Sequence, residues 1–459
     1  VRHAIGAITA AILCTAGAAG DDKKPVPKPI TRLFVQDLKT CSLKWADVTV
    51  GPGQRLALGA LADVTGFKKL DPTRQKLVQM REAGSLVCVG VRDDADGAFE
   101  SGWVLIQSGV GYADHGGHGH WKYKKKPEVA DSRLDAKQGN PAHVYLYGER
   151  FFIANDRLNG YTRLDPEQYA TNEARSLGTG KPQFLVGGGN HITLAVVDDK
   201  VGYSCWIDGG GPNKGRVDVT PVTGAPKSEP AYSFTLPSGG IHGATACAGK
   251  VFFAPAEGVC WVEADPGLKQ KSEQVKTRQI DLGKEGGKAR RTGAFATHGD
   301  HVLFVTGKDA PTLVALNAKL TDPKPLFVPL TVRKGTHAVT PEVVTAADGK
   351  LYALVFHDRV KDSDADDALE VIALDPNGDG DCADARSVKV LKVGRSAVEG
   401  HSGHHDITFD ADYRYAFFTN PGDGTVSALS LKTLEVTATF TVGGTPTAVV
   451  ARGGEDHDD

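Results

Sequence analysis

The strongest constraint on this chain is a unit that recurs along it. A glycine is followed within a few residues by a histidine, a short alternating run, a tight turn ending in Lys or Arg, and an apolar strand. The unit appears at Gly139–His143 before Arg150-Phe151-Phe152, and at Gly189-Asn190-His191 before Lys200-Val201. It returns at Gly240-Ile241-His242, at Gly335-Thr336-His337 and at Gly403-His404-His405-Asp406. Copies without the histidine start near Lys76, at Thr292-Gly293 and at Gly443-Gly444. Such units bury their apolar faces only against one another, so a period of about 40 to 65 residues with alternating apolar runs predicts a β-propeller.

Starts near residues 76, 143, 191, 242, 293, 337, 404 and 443 predict eight blades, with seven as the next count that fits. The last copy has one strand and little chain after it. Its missing strands are expected from Arg32-Leu33-Phe34-Val35 and the residues just after it, which closes the ring. Fifty-five glycines against one methionine agree with an all-β protein rich in turns. Residues 31–452 are assigned to this single propeller, and residues 453–459 to a disordered acidic tail.

The first twenty residues have the pattern of an export signal: Arg2 and His3, then an apolar Ala4–Ala19 run ending in small residues. Cys14 follows Leu13, a poor match to lipoprotein processing. Residues 21–30, with three prolines, are expected to be a linker. The rest of the chain contains no membrane span, so the expected setting is the periplasm or the exterior. A net charge of −3 disfavours nucleic acid as a partner. Past the signal, Cys41, Cys88, Cys205, Cys247, Cys260 and Cys382 read either as disulfide partners or as buried thiols on strands.

The innermost strands of a propeller all enter from one face, so a residue just before each start lies near the mouth of the central channel. His143, His191, His242, His337, His404 and His405 hold that position in five of the eight units, with Asp406 alongside. Neutral imidazoles gathered on one axis suit a transition metal, zinc first among them. A second group, Asp114-His115-Gly116-Gly117-His118-Gly119-His120, places three imidazoles and a carboxylate on a glycine-rich loop. That loop is followed by the basic run Lys122–Lys126. An outer strand after the loop would set it on the face opposite the channel histidines; an outer strand before it would hang it over them. Asp375, Asn377, Asp379 and Asp381 alternate with bends like a Ca²⁺ loop, but Arg386 stands where the bidentate acid belongs. The segment therefore reads as a partial Ca²⁺ site or as an acidic turn.

The chain has no Gly-x-Ser-x-Gly, His-Glu-x-x-His, phosphate loop or dinucleotide fingerprint. Residues 410–446 resemble the YVTN-type propeller repeat. The Asp-His-Gly loop at 114–120 and the following Pro141-Ala142-His143 resemble the exported zinc metallochaperones of the AztD family. That resemblance implies a periplasmic zinc carrier that hands its ion to the solute-binding protein of an ABC importer. The chain departs from the family in Lys122–Lys126, in its six cysteines and in what reads as a long insert at residues 355–400. Two other classes use the same residues differently. An open three-histidine metal site could activate water in a hydrolase or lactonase, and a metal-free interaction propeller would use the histidines as loop caps.

Overall fold

The computed structural model describes residues 27–95, 99–114, 116, 119–169, 181–225, 227–400 and 402–456. Its strands form eight antiparallel sheets of four or five strands. Each sheet is one blade, and the blades follow one another in chain order around a channel. The innermost strands of blades 2 to 6 are Gln75–Ala83, Val144–Tyr147, Leu194–Val197, Ala244–Cys247 and Ala296–His298. In blade 7 the inner position is split between Thr336–Ala338 and Glu342–Thr345, both paired with Leu351–Arg359. Blade 8 opens with Ile407–Phe409. Seven of the eight predicted starts fall within a few residues of these strands, and the one near 443 precedes Pro446–Arg452.

Blade 1 closes the ring. Its innermost strand is Pro446–Arg452 from the end of the chain, paired antiparallel with Pro29–Asp37, with Leu33 opposite Ala451 and Val35 opposite Val449. Ser42–Val50 continues the sheet outward. The first strand therefore takes in Pro29 and Ile30, assigned above to the linker. The tail is held further than expected: Glu455 pairs with Arg414 at 2.6 Å, and Asp456 meets His120 at 2.9 Å. The signal-like segment and Cys14 lie outside the described residues, as does His457.

The core is distributed around the ring. Eight apolar clusters lie one between each pair of neighbouring blades. Phe34, Val89 and Ile106 join blades 1 and 2, and Phe356, Phe418 and Leu429 join blades 7 and 8. Val35, Phe417 and Val449 complete the circuit between blades 8 and 1. Alternation explains this arrangement: the two faces of a blade meet two different neighbours, so apolar residues are needed on both. All six described cysteines are unpaired and buried. Loss of water raises the Cys88 and Cys205 thiols, Cys205 to about 12. They act as small apolar residues of the interfaces.

Two expectations change here. Residues 355–400 are not an insert: they supply the end of Leu351–Arg359 together with Ala368–Ala373 and Arg386–Lys392, the outer strands of blade 7. The histidine-rich segment is flanked by the two strands of an extra hairpin, Val110–Asp114 with Gly119–Tyr123. The hairpin sits between the third strand of blade 2, Gly102–Gln107, and its outer strand Glu128–Leu134. Because the outer strand follows it, the hairpin lies on the face where inner strands end. Its contacts agree: Arg452 stacks on Trp121 at 5.0 Å, and Tyr123 donates to the Gly454 carbonyl at 2.9 Å.

Phe34 is fully buried in the first interface. Phe34→Ala is expected to cost about 3–5 kcal/mol, as for large aromatic deletions in cores. Denaturant unfolding followed by tryptophan fluorescence checks it; a midpoint equal to that of the parent protein would mean that closure does not rest on this contact.

Candidate metal site at the channel mouth

In each blade the second strand runs back to the face at which inner strands begin. The end of that strand therefore meets the residues that open the next blade. Glycines make the turn there: Gly139, Gly240, Gly335 and Gly403 of the repeated unit, and Gly188 just before the copy at Gly189, all have φ between +67° and +80°. At Gly403 a Cβ would strike the Ala397 carbonyl, which explains the glycine before His404.

The turns deliver histidines from several blades to one cavity of about 800 Å³, which His143, His191, His242, His404, His405 and Asp406 help to line. Three of the rings are neighbours. His143 Nε2 lies 2.9 Å from His191 Nε2, and the His191 and His242 rings stack with centroids 5.2 Å apart. Behind this group sits Asp156, at the end of the second strand of blade 3. Its Oδ1 accepts from the Ile192 N–H at 3.0 Å. Its Oδ2 is buried without a hydrogen bond, 3.5 Å from the Arg92 guanidinium and 3.9 Å from His191 Nδ1. Burial pushes this carboxyl up to about 6, opposed by the Ile192 amide and Arg92. His242 Nδ1–H donates to the Gly293 carbonyl at 3.1 Å, which puts the ring's lone pair on Nε2.

Across the cavity, Asp358 at the end of the second strand of blade 7 holds two rings. His404 Nδ1 is 2.7 Å from Asp358 Oδ2, and His405 Nδ1 is 2.6 Å from Oδ1. Burial alone would raise the Asp358 carboxyl; the two histidine hydrogen bonds hold it down at about 2. The two rings then differ in chemistry. His404 donates from Nδ1 and directs the Nε2 lone pair toward the cavity. His405 faces the Gly394 carbonyl with Nε2 at 2.9 Å, so both its nitrogens meet acceptors. Stacked on Phe356 at 4.7 Å with both ring nitrogens engaged, His405 offers no lone pair to the cavity in this arrangement.

The remaining candidates separate. Asp406 Oδ2 accepts from the Val449 N–H at 2.8 Å and ties blade 8 to the closing strand. His337 lines the adjacent cavity, where burial and the proximity of His404 lower its pKa. Asp114 and His120 lie on the hairpin at the opposite face. Asp114 caps the Gly116 N–H at 2.8 Å, and His120 Nδ1 meets Asp456. His115 and His118 lie outside the described residues. Asp375 accepts from the Gly378, Asp379 and Gly380 amides, and Asp381 from the Ala383 amide, so both serve their own turns. Asn377 donates to Asp379 at 2.9 Å.

Among the described residues no three ligating side chains already surround one point. The donor set nevertheless fits a zinc ion after small movements. Two imidazole nitrogens on a tetrahedral ion with bonds of about 2.0–2.1 Å are about 3.3–3.4 Å apart, so the His143–His191 pair would open by less than 1 Å. A similar shift of His191 would bring Nδ1–H onto the orphaned Asp156 Oδ2, the carboxylate support typical of metal-bound histidines. Asp156 and Asp358 escaped the sequence reading. Their signal is positional: an Asp ending an apolar strand just before a loop, as in Leu354-Val355-Phe356-His357-Asp358.

These features define an eight-bladed all-β propeller with a histidine-lined mouth on one face and a hairpin across the other. No family model matches the chain, and no curated protein matches its sequence. Among solved structures, apo AztD from Citrobacter koseri superposes with a TM-score of 0.62 at 16% identity, covering 94% of this chain and all of that one. A second AztD structure from the same organism gives a TM-score of 0.61 at 14% identity, with the same coverage. The dihydro-heme d1 dehydrogenase NirN follows with a TM-score of 0.52 at 13% identity, covering 93% of this chain and 76% of that one. The chain thus shares the AztD fold over nearly its whole length.

Asp358 is depressed below the roughly 3.9 of an unfolded carboxyl. Its contribution to stability is therefore complete above about pH 4 and is lost as pH falls through about 2. Asp358→Asn leaves His405 without its counter-charge and is expected to cost about 3–5 kcal/mol at neutral pH. Unfolding midpoints between pH 7 and pH 2.5 check this: the variant's deficit should shrink toward the acid end. A deficit independent of pH would remove the ion pair from the explanation.

Proposed function

We infer that this protein is an exported zinc-binding propeller that carries or stores Zn²⁺ and passes it to a partner by exchange of histidine ligands. The observation that carries the reading is the convergence of histidines from blades 3, 4, 5 and 8 on one cavity, with His143 and His191 already in Nε2–Nε2 contact. His143, His191 and His242 are the proposed ligands on one side. His404, oriented by Asp358, is the proposed exchangeable ligand on the other. His405 and Asp406 are assigned to support rather than coordination.

Bound zinc would act as cargo, held by neutral imidazoles that must lose any Nε2 proton first. The protein's own work is orientation. Asp358 fixes the His404 ring and the Gly293 carbonyl fixes His242, Asp156 stands within a small displacement of His191 Nδ1, and the ring of blades sets their spacing. Stepwise exchange needs ligands within reach of one another, which the mouth provides. The hairpin residues Asp114, His115, His118 and His120 form a separate proposed capture site. Because the strands that carry Asp114 and His120 lie on the opposite face, direct hand-over from the hairpin to the mouth is left out of this reading. The proposed recipient is the solute-binding protein of an ABC metal importer, by likeness to the AztD family. The signal-like N-terminus supports export, and among the described residues no helix is long and apolar enough to cross a membrane.

The test is zinc titration of tag-free protein. His143→Ala with His191→Ala is expected to weaken the tightest site at least 100-fold. The triple change His115→Ala, His118→Ala, His120→Ala should remove a different, weaker equivalent. Affinity should drop as pH falls through the imidazole range, near 6.5 for an unperturbed ring. Unchanged zinc affinity in the double variant would overturn the assignment.

A further inference from the structure

Next to the mouth, on the same face, lies a second cavity of about 550 Å³ between blades 6 and 7. It is lined by four cations, Lys288, Arg290, Arg291 and Lys308, with His337 on one wall; its carboxylates are Glu285 and Asp309. This excess of positive charge stands on a chain whose net charge is −3.

Glu285 does not neutralise the cavity, because its carboxylate is already engaged. It accepts from the backbone amides of Lys308, Asp309 and Ala310 at 2.7, 3.1 and 3.2 Å, and meets Arg290 at 3.7 Å. Those amides hold its carboxyl below the usual range. Lys288, Arg291 and Lys308 have no ion pair among the described residues. Arg290 Nε is buried with no acceptor. Arg291 donates to the Gly240 carbonyl at 3.0 Å. With Glu285 engaged by its own loop, the cavity keeps more cationic than anionic side chains, a set that an anion would complete.

We propose that this cavity is a binding site for a small multivalent oxyanion, a polycarboxylate or a phosphate. Its volume suits such a ligand. The paired arginines supply planar forks that match carboxylate and phosphate oxygens, and the two lysines add point charges at the rim. The site does not depend on zinc. It does share a wall with the mouth, since Arg291 binds Gly240 and Gly293 binds His242.

Calorimetry on metal-free protein at low ionic strength provides the test, with citrate in one arm and inorganic phosphate in the other. One equivalent is expected to bind in at least one arm, and affinity should fall as NaCl is added. Tighter binding of citrate assigns the site to carboxylates, and tighter binding of phosphate to phosphates. Lys288→Glu with Lys308→Glu changes two exposed side chains that make no ion pairs, and should weaken binding at least tenfold while zinc titration is unaltered. Absence of binding in both arms, or equal binding by the double variant, overturns the proposal and leaves the zinc reading untouched.

Discussion

The structure depends on one strand pairing. Pro446–Arg452 lies against Pro29–Asp37 and turns an open row of sheets into a ring. Without it, Val35, Val449 and Phe417 would lose their shared cluster, and blades 1 and 8 would each present an apolar face to water. The interfaces that do not involve blade 1 are made of residues near in sequence. The closing pairing joins residues more than four hundred positions apart and so bears the cost of closing the chain on itself. Its reward is the burial of roughly 1.5–3 kcal/mol per large apolar side chain, repeated around a circuit with no free end.

Closure also makes the site. A histidine before an inner strand and an acid at the end of a second strand belong to adjacent blades, and they meet only because every blade has the same direction and tilt. Asp156 behind His191 and Asp358 behind His404 are two instances of that relation. The same geometry gives Asp406 its contact with the Val449 amide, which lets the closing strand report on the mouth. Glu342, on the inner strand of blade 7, shows how strongly the ring alters charge. Its side chain touches water, yet the surrounding strands push its carboxyl up to about 7, with Arg81 opposing.

Much of this was legible in the sequence because the repeat is periodic in both spacing and chemistry. Glycine, histidine, turn and apolar strand recur together, and each recurrence proved to be a blade. Blade 7 was obscured by its own loops. The acidic runs Asp362–Asp367 and Asp375–Asp381 interrupt the alternation, so strands Ala368–Ala373 and Arg386–Lys392 looked like part of an insert. The hairpin's face could not be read either, because it turns on whether Glu128–Leu134 pairs with the strand before the hairpin, and that is a long-range contact. Asp156 and Asp358 were missed because an acid after an apolar run looks like an ordinary turn until the next blade is placed beside it.

A histidine count overstates the number of ligands, and the mouth shows why. His404 and His405 are adjacent in sequence and share one carboxylate, yet their second nitrogens meet different surroundings. The difference lies at the far nitrogen: His405 meets the Gly394 carbonyl. A ring whose two nitrogens both meet protein acceptors has none left for a ligand and becomes structural. A ring with one acceptor keeps a lone pair and can ligate. Whether an imidazole is ligand or girder is therefore decided by its second hydrogen bond, which is set by the neighbouring loop and not by the histidine's own place in the repeat. The same rule applies to His242, where the Gly293 carbonyl takes Nδ1–H, and to His191, where the orphaned Asp156 Oδ2 waits within a small displacement. The mouth is thus a set of rings whose backing acceptors have been chosen blade by blade, with the carboxylates that support ligation drawn from the strand ends between them.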